Sequence, residues 1–201
     1  MDWHLALIAF ALIFPVELPD KTFVAALVLS TRYRPLAVWL GVGLAFGVQC
    51  LVAVTAGAAV GYLPEWVIHA LSTIMFAVGA VLLFIAAPGA DQEEKEQEEQ
   101  FAAKSTATRT GVRAAGASFL LVFAAEWGDL TQILTLNLVA KYGNPVSIFI
   151  GSWVALLAVS GLAVVGGRVL LRYMRLSVLH YIASAVCLVF VGVGIYQLAT
   201  L

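Results

Sequence analysis

Long apolar stretches alternate with short polar ones along almost the whole chain. Apolar runs cover about residues 3–30, 36–62, 66–86, 114–139, 146–167 and 177–200, and each meets or exceeds the roughly 20 residues that carry a helix across the hydrocarbon core. The pattern predicts an all-α polytopic membrane protein with six transmembrane helices. The first run is too long for a signal-peptide core, lacks a basic segment before it and holds an acidic motif, so it is expected to stay in the mature protein.

Two stretches break this apolar pattern. Glu17-Leu18-Pro19-Asp20-Lys21-Thr22 and Glu126-Trp127-Gly128-Asp129-Leu130-Thr131 each place two carboxylates three residues apart inside a membrane run. An ionisable group in hydrocarbon costs several kcal/mol unless it is paired or hydrated, so such acids mark a substrate, ion or proton path.

The basic residues orient the bundle, because cytoplasmic loops collect Lys and Arg. Arg32, Arg34, Lys95, Lys104, Arg109, Arg113, Arg168, Arg172 and Arg175 follow runs one, three and five, whereas the opposite side has Lys141 alone. Both termini are therefore expected outside. The chain divides into a first three-helix unit (1–86), an acidic cytoplasmic linker (87–113) and a second three-helix unit (114–201). Within the linker, Asp91 to Glu99 carries six acids against one base; a solvated linker, partly helical or disordered, is the plain expectation, and a role in drawing cytoplasmic cations is the functional one.

Composition narrows the class further. Of the 201 residues 62% are hydrophobic and 11% charged, which excludes an ordinary soluble domain. The bilayer is the expected surrounding, with no nucleic-acid partner, and a homo-oligomer is left open. Cys50 and Cys187 stand singly in apolar runs and are expected to be packing residues, neither a disulfide nor a metal motif. His69 and His180 lie near run ends and read as interfacial residues. Gln49 and Asn137 read as interhelical hydrogen-bonding groups.

Shifting the sequence by 109 residues superposes the two motifs and their surroundings. Phe10, Leu12, Phe14, Glu17, Asp20, Thr22, Leu27, Leu29 and Tyr33 fall on Phe119, Leu121, Phe123, Glu126, Asp129, Thr131, Leu136, Leu138 and Tyr142. One inserted residue later, Pro35 and Gly41 meet Pro145 and Gly151. The chain thus reads as two diverged copies of one unit. Three helices are an odd number, so the second copy enters from the opposite side and the repeats are inverted. Transporters built this way hold the substrate near the midplane between repeats.

Residues three apart share a helical face, so Glu17 with Asp20 and Glu126 with Asp129 are each expected to face one side and to meet as a ring of four. Pro15, Pro19 and Gly128 weaken the helices at these places. The ring, with Thr22, Thr131 and the Gln132 amide in support, is an all-oxygen environment that suits hard dications such as Mn²⁺, Ca²⁺ or Mg²⁺. Four ionised acids would carry −4, which Lys21 reduces to −3. An empty site cannot keep all four charged, so protons and a dication compete for the same oxygens. That competition is the basis of cation:proton antiport. Lys21 is a counter-ion for a neighbouring acid or a charge that moves in the cycle, and its counterpart is Leu130.

The motifs E-L-P-D-K-T and E-W-G-D-L-T-Q resemble the paired E-x-G-D-[KR]-[TS] signatures of the Gdt-type manganese and calcium transporter family (uncharacterised protein family sixteen), whose members include bacterial ones. The resemblance covers nearly the whole chain. It implies secondary transport of Mn²⁺ or Ca²⁺ against protons, with Glu17, Asp20, Glu126 and Asp129 as the motif acids holding the metal. Pro19 stands where the pattern has Gly, and Leu130 where it has Lys or Arg. A bacterial-type chain of this kind is expected in the plasma membrane as a multi-pass Mn²⁺ exporter, with the metal as substrate and no cofactor.

Three other readings compete. A Ca²⁺:H⁺ exchanger belongs to the same class. An exporter of organic cations or amino acids would use apolar walls, for which Trp127 and Phe23 are available. An intramembrane aspartyl protease would use Asp20 and Asp129 as a pair sharing a proton, but it has no need for Glu17, Glu126 or the repeat. The leading expectation is therefore a transporter and not an enzyme.

Overall fold

The computed structural model describes residues 1–18, 20–104, 111–173 and 176–200. Pro19, Arg109 and Arg175 lie outside the described residues, as do the side chains of Lys104, Arg168 and Arg172. The described elements are all helical. They are α1 (Trp3–Glu17), α2 (Lys21–Arg32), α3 (Pro35–Val60), α4 (Glu65–Ala86), α5 (Ala90–Lys104), α6 (Val112–Ala125), α7 (Leu130–Tyr142), α8 (Pro145–Tyr173) and α9 (Leu176–Ala199), with one 3₁₀ turn at Ala87–Gly89 between α4 and α5.

Four helices are long and apolar enough to cross a membrane, within α3, α8, α9 and a run from Trp66 to Glu93, and the bent pair α6–α7 makes a fifth span if counted as one. The chain is a multi-pass membrane protein on this ground. The first and fourth apolar runs do not form the single helices their length predicts. Each is split at its acidic motif, α1 from α2 and α6 from α7, the second pair bending by 74°. Hydropathy registers only the transfer of side chains into lipid, whereas a break depends on which groups cap the new helix end.

The caps are the motif aspartates. Asp20 Oδ1 accepts the Lys21 amide at 2.6 Å and Asp129 Oδ1 accepts the Gln132 amide at 2.9 Å, satisfying first-turn donors that lipid could not. Gly128 takes φ of +78° at the second break, a conformation that costs glycine little. Its amide is bonded by Gln132 Oε1 at 2.8 Å.

Two long helices, α3 and α8, cross at the centre. Trp39 Nε1 donates to the Leu157 carbonyl at 3.0 Å and Trp153 Nε1 to the Gly43 carbonyl at 2.8 Å. At Gly41 the backbone of α3 lies against the Ala115 carbonyl of α6, and at Gly151 that of α8 lies against the Ala6 carbonyl of α1. A side chain at either glycine would meet backbone, which explains why the residue type is small there.

One apolar cluster gathers α2, α3, α6 and α8 around Phe23, Val38, Phe46 and Val122. A second gathers α1, α7, α4 and α9 around Leu12, Val16, Leu134 and Phe76. Within it α4 and α9 pair closely: Ser184 Oγ donates to the Ala80 carbonyl at 2.8 Å, and Phe76 stacks on Phe190 with ring centroids 5.0 Å apart.

Of the forms expected for the acidic linker, the helical one is observed over its described residues up to 104. Residues 90–104 form α5, with Ala90 and Phe101 buried. Asp91 accepts from the Ser177 amide at 3.1 Å and its hydroxyl at 3.2 Å, joining α5 to the start of α9. Two apolar anchors and one carboxylate cap outweigh the repulsion among the helix's acids.

Candidate metal centre

The two helix breaks meet at the centre of the molecule. One carboxylate oxygen each from Glu17, Asp20 and Glu126 lies within 4.8 Å of the other two. Glu17 closes α1, and Glu126 follows the last residue of α6, so both glutamates arrive at helix C-termini and both aspartates at N-termini. Glu17 and Asp20 therefore do not share the face of one helix, as spacing alone predicts; they flank a break. The same holds for Glu126 and Asp129.

Glu17 and Glu126 are fully buried. Thr131 donates to Glu17 Oε2 at 2.7 Å. The remaining oxygen of Glu17, both oxygens of Glu126 and the Thr22 hydroxyl have no hydrogen-bond partner. Buried polar atoms left unpaired cost on the order of 1–3 kcal/mol each, more when charged. Such a concentration of acceptors is suited to receiving a cation or protons.

Asp129 is outside the close trio but within electrostatic reach of Glu17, Asp20 and Glu126. With Gln49, Cys50, Thr131 and Gln132 it borders a cavity of about 10 Å³, no more than one water could fill. Lys21 lies within electrostatic reach of Asp20, Glu126 and Asp129. It also borders a far larger cavity, about 700 Å³, that runs past Tyr33 between α2, α5 and α6. Glu93 and Glu96 of α5 stand on its wall.

The sequence-derived acids and Thr131 are thus brought together, and Thr22 stands near Glu126 without closing a hydrogen bond. Gln132 spends its amide oxygen on the backbone break, and its amide nitrogen is unpartnered. Gln49 and Asn137 do make interhelical bonds: Gln49 to the Phe123 carbonyl at 3.3 Å, and Asn137 accepting from Ser72 at 2.7 Å. Both cysteines are free and buried.

Two features escaped the sequence reading. His180, taken there as interfacial, shares with Asp20, Val16 and Leu130 the border of a cavity of about 190 Å³. The placement of Glu93 and Glu96 on the wall of the cavity that Lys21 borders was signalled only by the charge of the linker, which cannot say where a helix docks.

Comparison with known proteins identifies the family. The family model described as divalent cation/proton antiporter GDT1 matches the chain twice, at residues 5–91 and 114–200. The GDT1-like protein sll0615 of Synechocystis is 32% identical over 165 residues, covering 76% of this chain and 80% of that protein. Protein PAM71, chloroplastic, of Arabidopsis thaliana is 29% identical over 210 residues, covering 96% of this chain and 56% of that protein. GDT1-like protein 1, chloroplastic, of Oryza sativa subsp. indica is 29% identical over 209 residues, covering 94% and 61%. The chain thus spans a little over half the length of these plant relatives. No solved structure matches. Two copies of one transporter signature, each ending on a helix break that delivers a buried carboxylate to a common centre, place this chain in the GDT1 family of divalent cation/proton antiporters.

Proposed function

We propose that the protein exports Mn²⁺ in exchange for protons, with Glu17, Asp20, Glu126 and Asp129 as the metal-binding acids. The observation that carries this reading is the meeting of three carboxylates whose glutamate oxygens are mostly unpartnered in a buried centre. Carboxylates and hydroxyls are hard donors, so the preferred substrate is a hard dication and neither a soft ion nor an organic cation. A dication arriving at a partly protonated centre displaces protons, and the returning protons displace the dication. Thr22 and Thr131 support the site, Gln132 holds the break open, and Lys21 offsets charge in the ion-free protein.

In this reading the two matched segments, 5–91 and 114–200, are inverted repeats of three spans each, with α1–α2 and α6–α7 as broken first spans. The linker lies on the cytoplasmic side, both termini lie outside, and the protein sits in the plasma membrane. Ca²⁺ fits the same donors and is the second reading within the class. The protease alternative draws no support from the family match, which is to an antiporter.

The test is flux in reconstituted vesicles. An imposed pH gradient should drive Mn²⁺ against its gradient, with proton counter-flow, and Asp20→Asn and Asp129→Asn should abolish it. Undiminished flux in both variants would sink the proposal. Substituting Ca²⁺ for Mn²⁺ in the same assay decides between the two ions.

A further inference from the structure

Among the helices of the two copies, packing repeats itself under the 109–110-residue shift except at one pair; α5, which lies between the copies, packs on α2 without a counterpart. α3 rests on α6 as α8 rests on α1, and α7 lies on α3 as α2 lies on α8. The pair α4–α9 breaks the rule. It packs on α7 and α1, where Asn137 accepts from Ser72 at 2.7 Å and Leu130 lies against Gly79. Among the described residues it makes no comparable packing on the counterparts, α2 and α6.

The consequence is visible at equivalent positions. Leu121 and Ala125 border the 700 Å³ cavity on the α2–α6 seam. Their counterparts Leu12 and Val16, on the α1–α7 seam, are 0% and 3% exposed in the cluster that α4 and α9 complete. Leu12 and Leu121 are the same residue, so side-chain chemistry does not account for the difference. The position of the α4–α9 pair does.

We propose that the chain has a second ion-access cavity on the α1–α7 seam, bordered by Leu12, Val16, Leu130 and Tyr142 and narrowed in this structure to the cavity of about 190 Å³ beside Val16, Leu130 and Asp20, with the α4–α9 pair as its movable cover. The inference rests on the antiporter reading and adds which surfaces part. When the cover moves toward the α2–α6 seam, the observed cavity closes and the second one opens on the other side of the carboxylate centre. The cover travels as a unit: α4 continues through the Ala87–Gly89 turn into α5, and Asp91 ties α5 to Ser177 at the start of α9. The two cavities differ at their floor, where one has Lys21 and the other Leu130. The two states are therefore unequal in energy, and a ligand shifts their populations only by its differential affinity for the two.

The experiment uses full-length protein in vesicles, with Cys50 and Cys187 replaced by serine. A Ser72→Cys, Asn137→Cys pair is bridged by a short bifunctional methanethiosulfonate that reductant removes. Bridging should abolish Mn²⁺ flux and reduction should restore it, which excludes misfolding as the cause. In separate single-cysteine proteins, Ala125→Cys and Leu12→Cys should react with an impermeant thiol reagent from opposite sides, and conditions that expose one should protect the other. Full flux in the bridged protein, or a Leu12→Cys that never reacts while Ala125→Cys does, overturns the proposal. The labelling readout is independent of transport: reciprocal labelling in a protein that moves no dication keeps the cover and refutes the antiporter reading alone.

Discussion

Thr131 donates a 2.7 Å hydrogen bond to Glu17 across the two helix breaks, whereas in the counterpart pair the Thr22 hydroxyl lies near Glu126 without closing a comparable bond. The centre is thus asymmetric at the level of single atoms. Glu17 is held by Thr131, and both Glu126 oxygens lack a donor.

Thr131→Val should therefore cost the metal-free protein about 1–3 kcal/mol by stripping a buried acceptor of its donor. Thr22→Val removes a buried hydroxyl that closes no bond, so the same protein should lose nothing and should gain up to about 1–3 kcal/mol. Thermal unfolding in detergent with chelator checks the order. Equal losses would mean the two hydroxyls are equivalent.

The aspartates have two duties that substitution can separate. Asparagine caps a helix about as well as aspartate, while alanine forfeits about 1 kcal/mol. Asp129→Asn should keep the stability of the parent and lose transport; Asp129→Ala should lose both. Unfolding and vesicle flux on the same samples measure this.

Gly41→Ala and Gly151→Ala should each destabilise by about 1–3 kcal/mol, because the added carbon meets a backbone carbonyl that cannot step aside. Gly116→Ala is the control. Open space surrounds it in α6, so it should be neutral or gain up to about 1 kcal/mol of helix propensity. Detergent unfolding ranks the three.

Dication binding should release protons and should weaken as pH falls, since both compete for the same carboxylate oxygens. Replacing Glu126 by Gln removes one titrating partner and should flatten the pH dependence of Mn²⁺ affinity. Calorimetric titration in buffers of unlike ionisation enthalpy counts the protons. An affinity independent of pH would remove the basis for proton coupling.

The sequence by itself determined what lipid and chain chemistry enforce locally. Apolar length made α3, α4, α8 and α9 legible, because the cost of burying a segment in hydrocarbon is close to a sum over its residues. The 109-residue recurrence of Glu17, Asp20 and Thr22 as Glu126, Asp129 and Thr131 singled out residues that the two helix breaks bring near one another. Tertiary structure decided the rest. Whether Glu17 and Asp20 share a face or flank a break depends on whether the Asp20 carboxylate captures the Lys21 amide, and that competition is settled only where both breaks pack together. Spacing could not show that Gln132 bonds Gly128, that α5 docks through Phe101, or that α4 and α9 cover one seam and leave the other open. These are contacts between segments far apart in the chain, and their energies belong to pairs of surfaces that no single stretch of sequence contains.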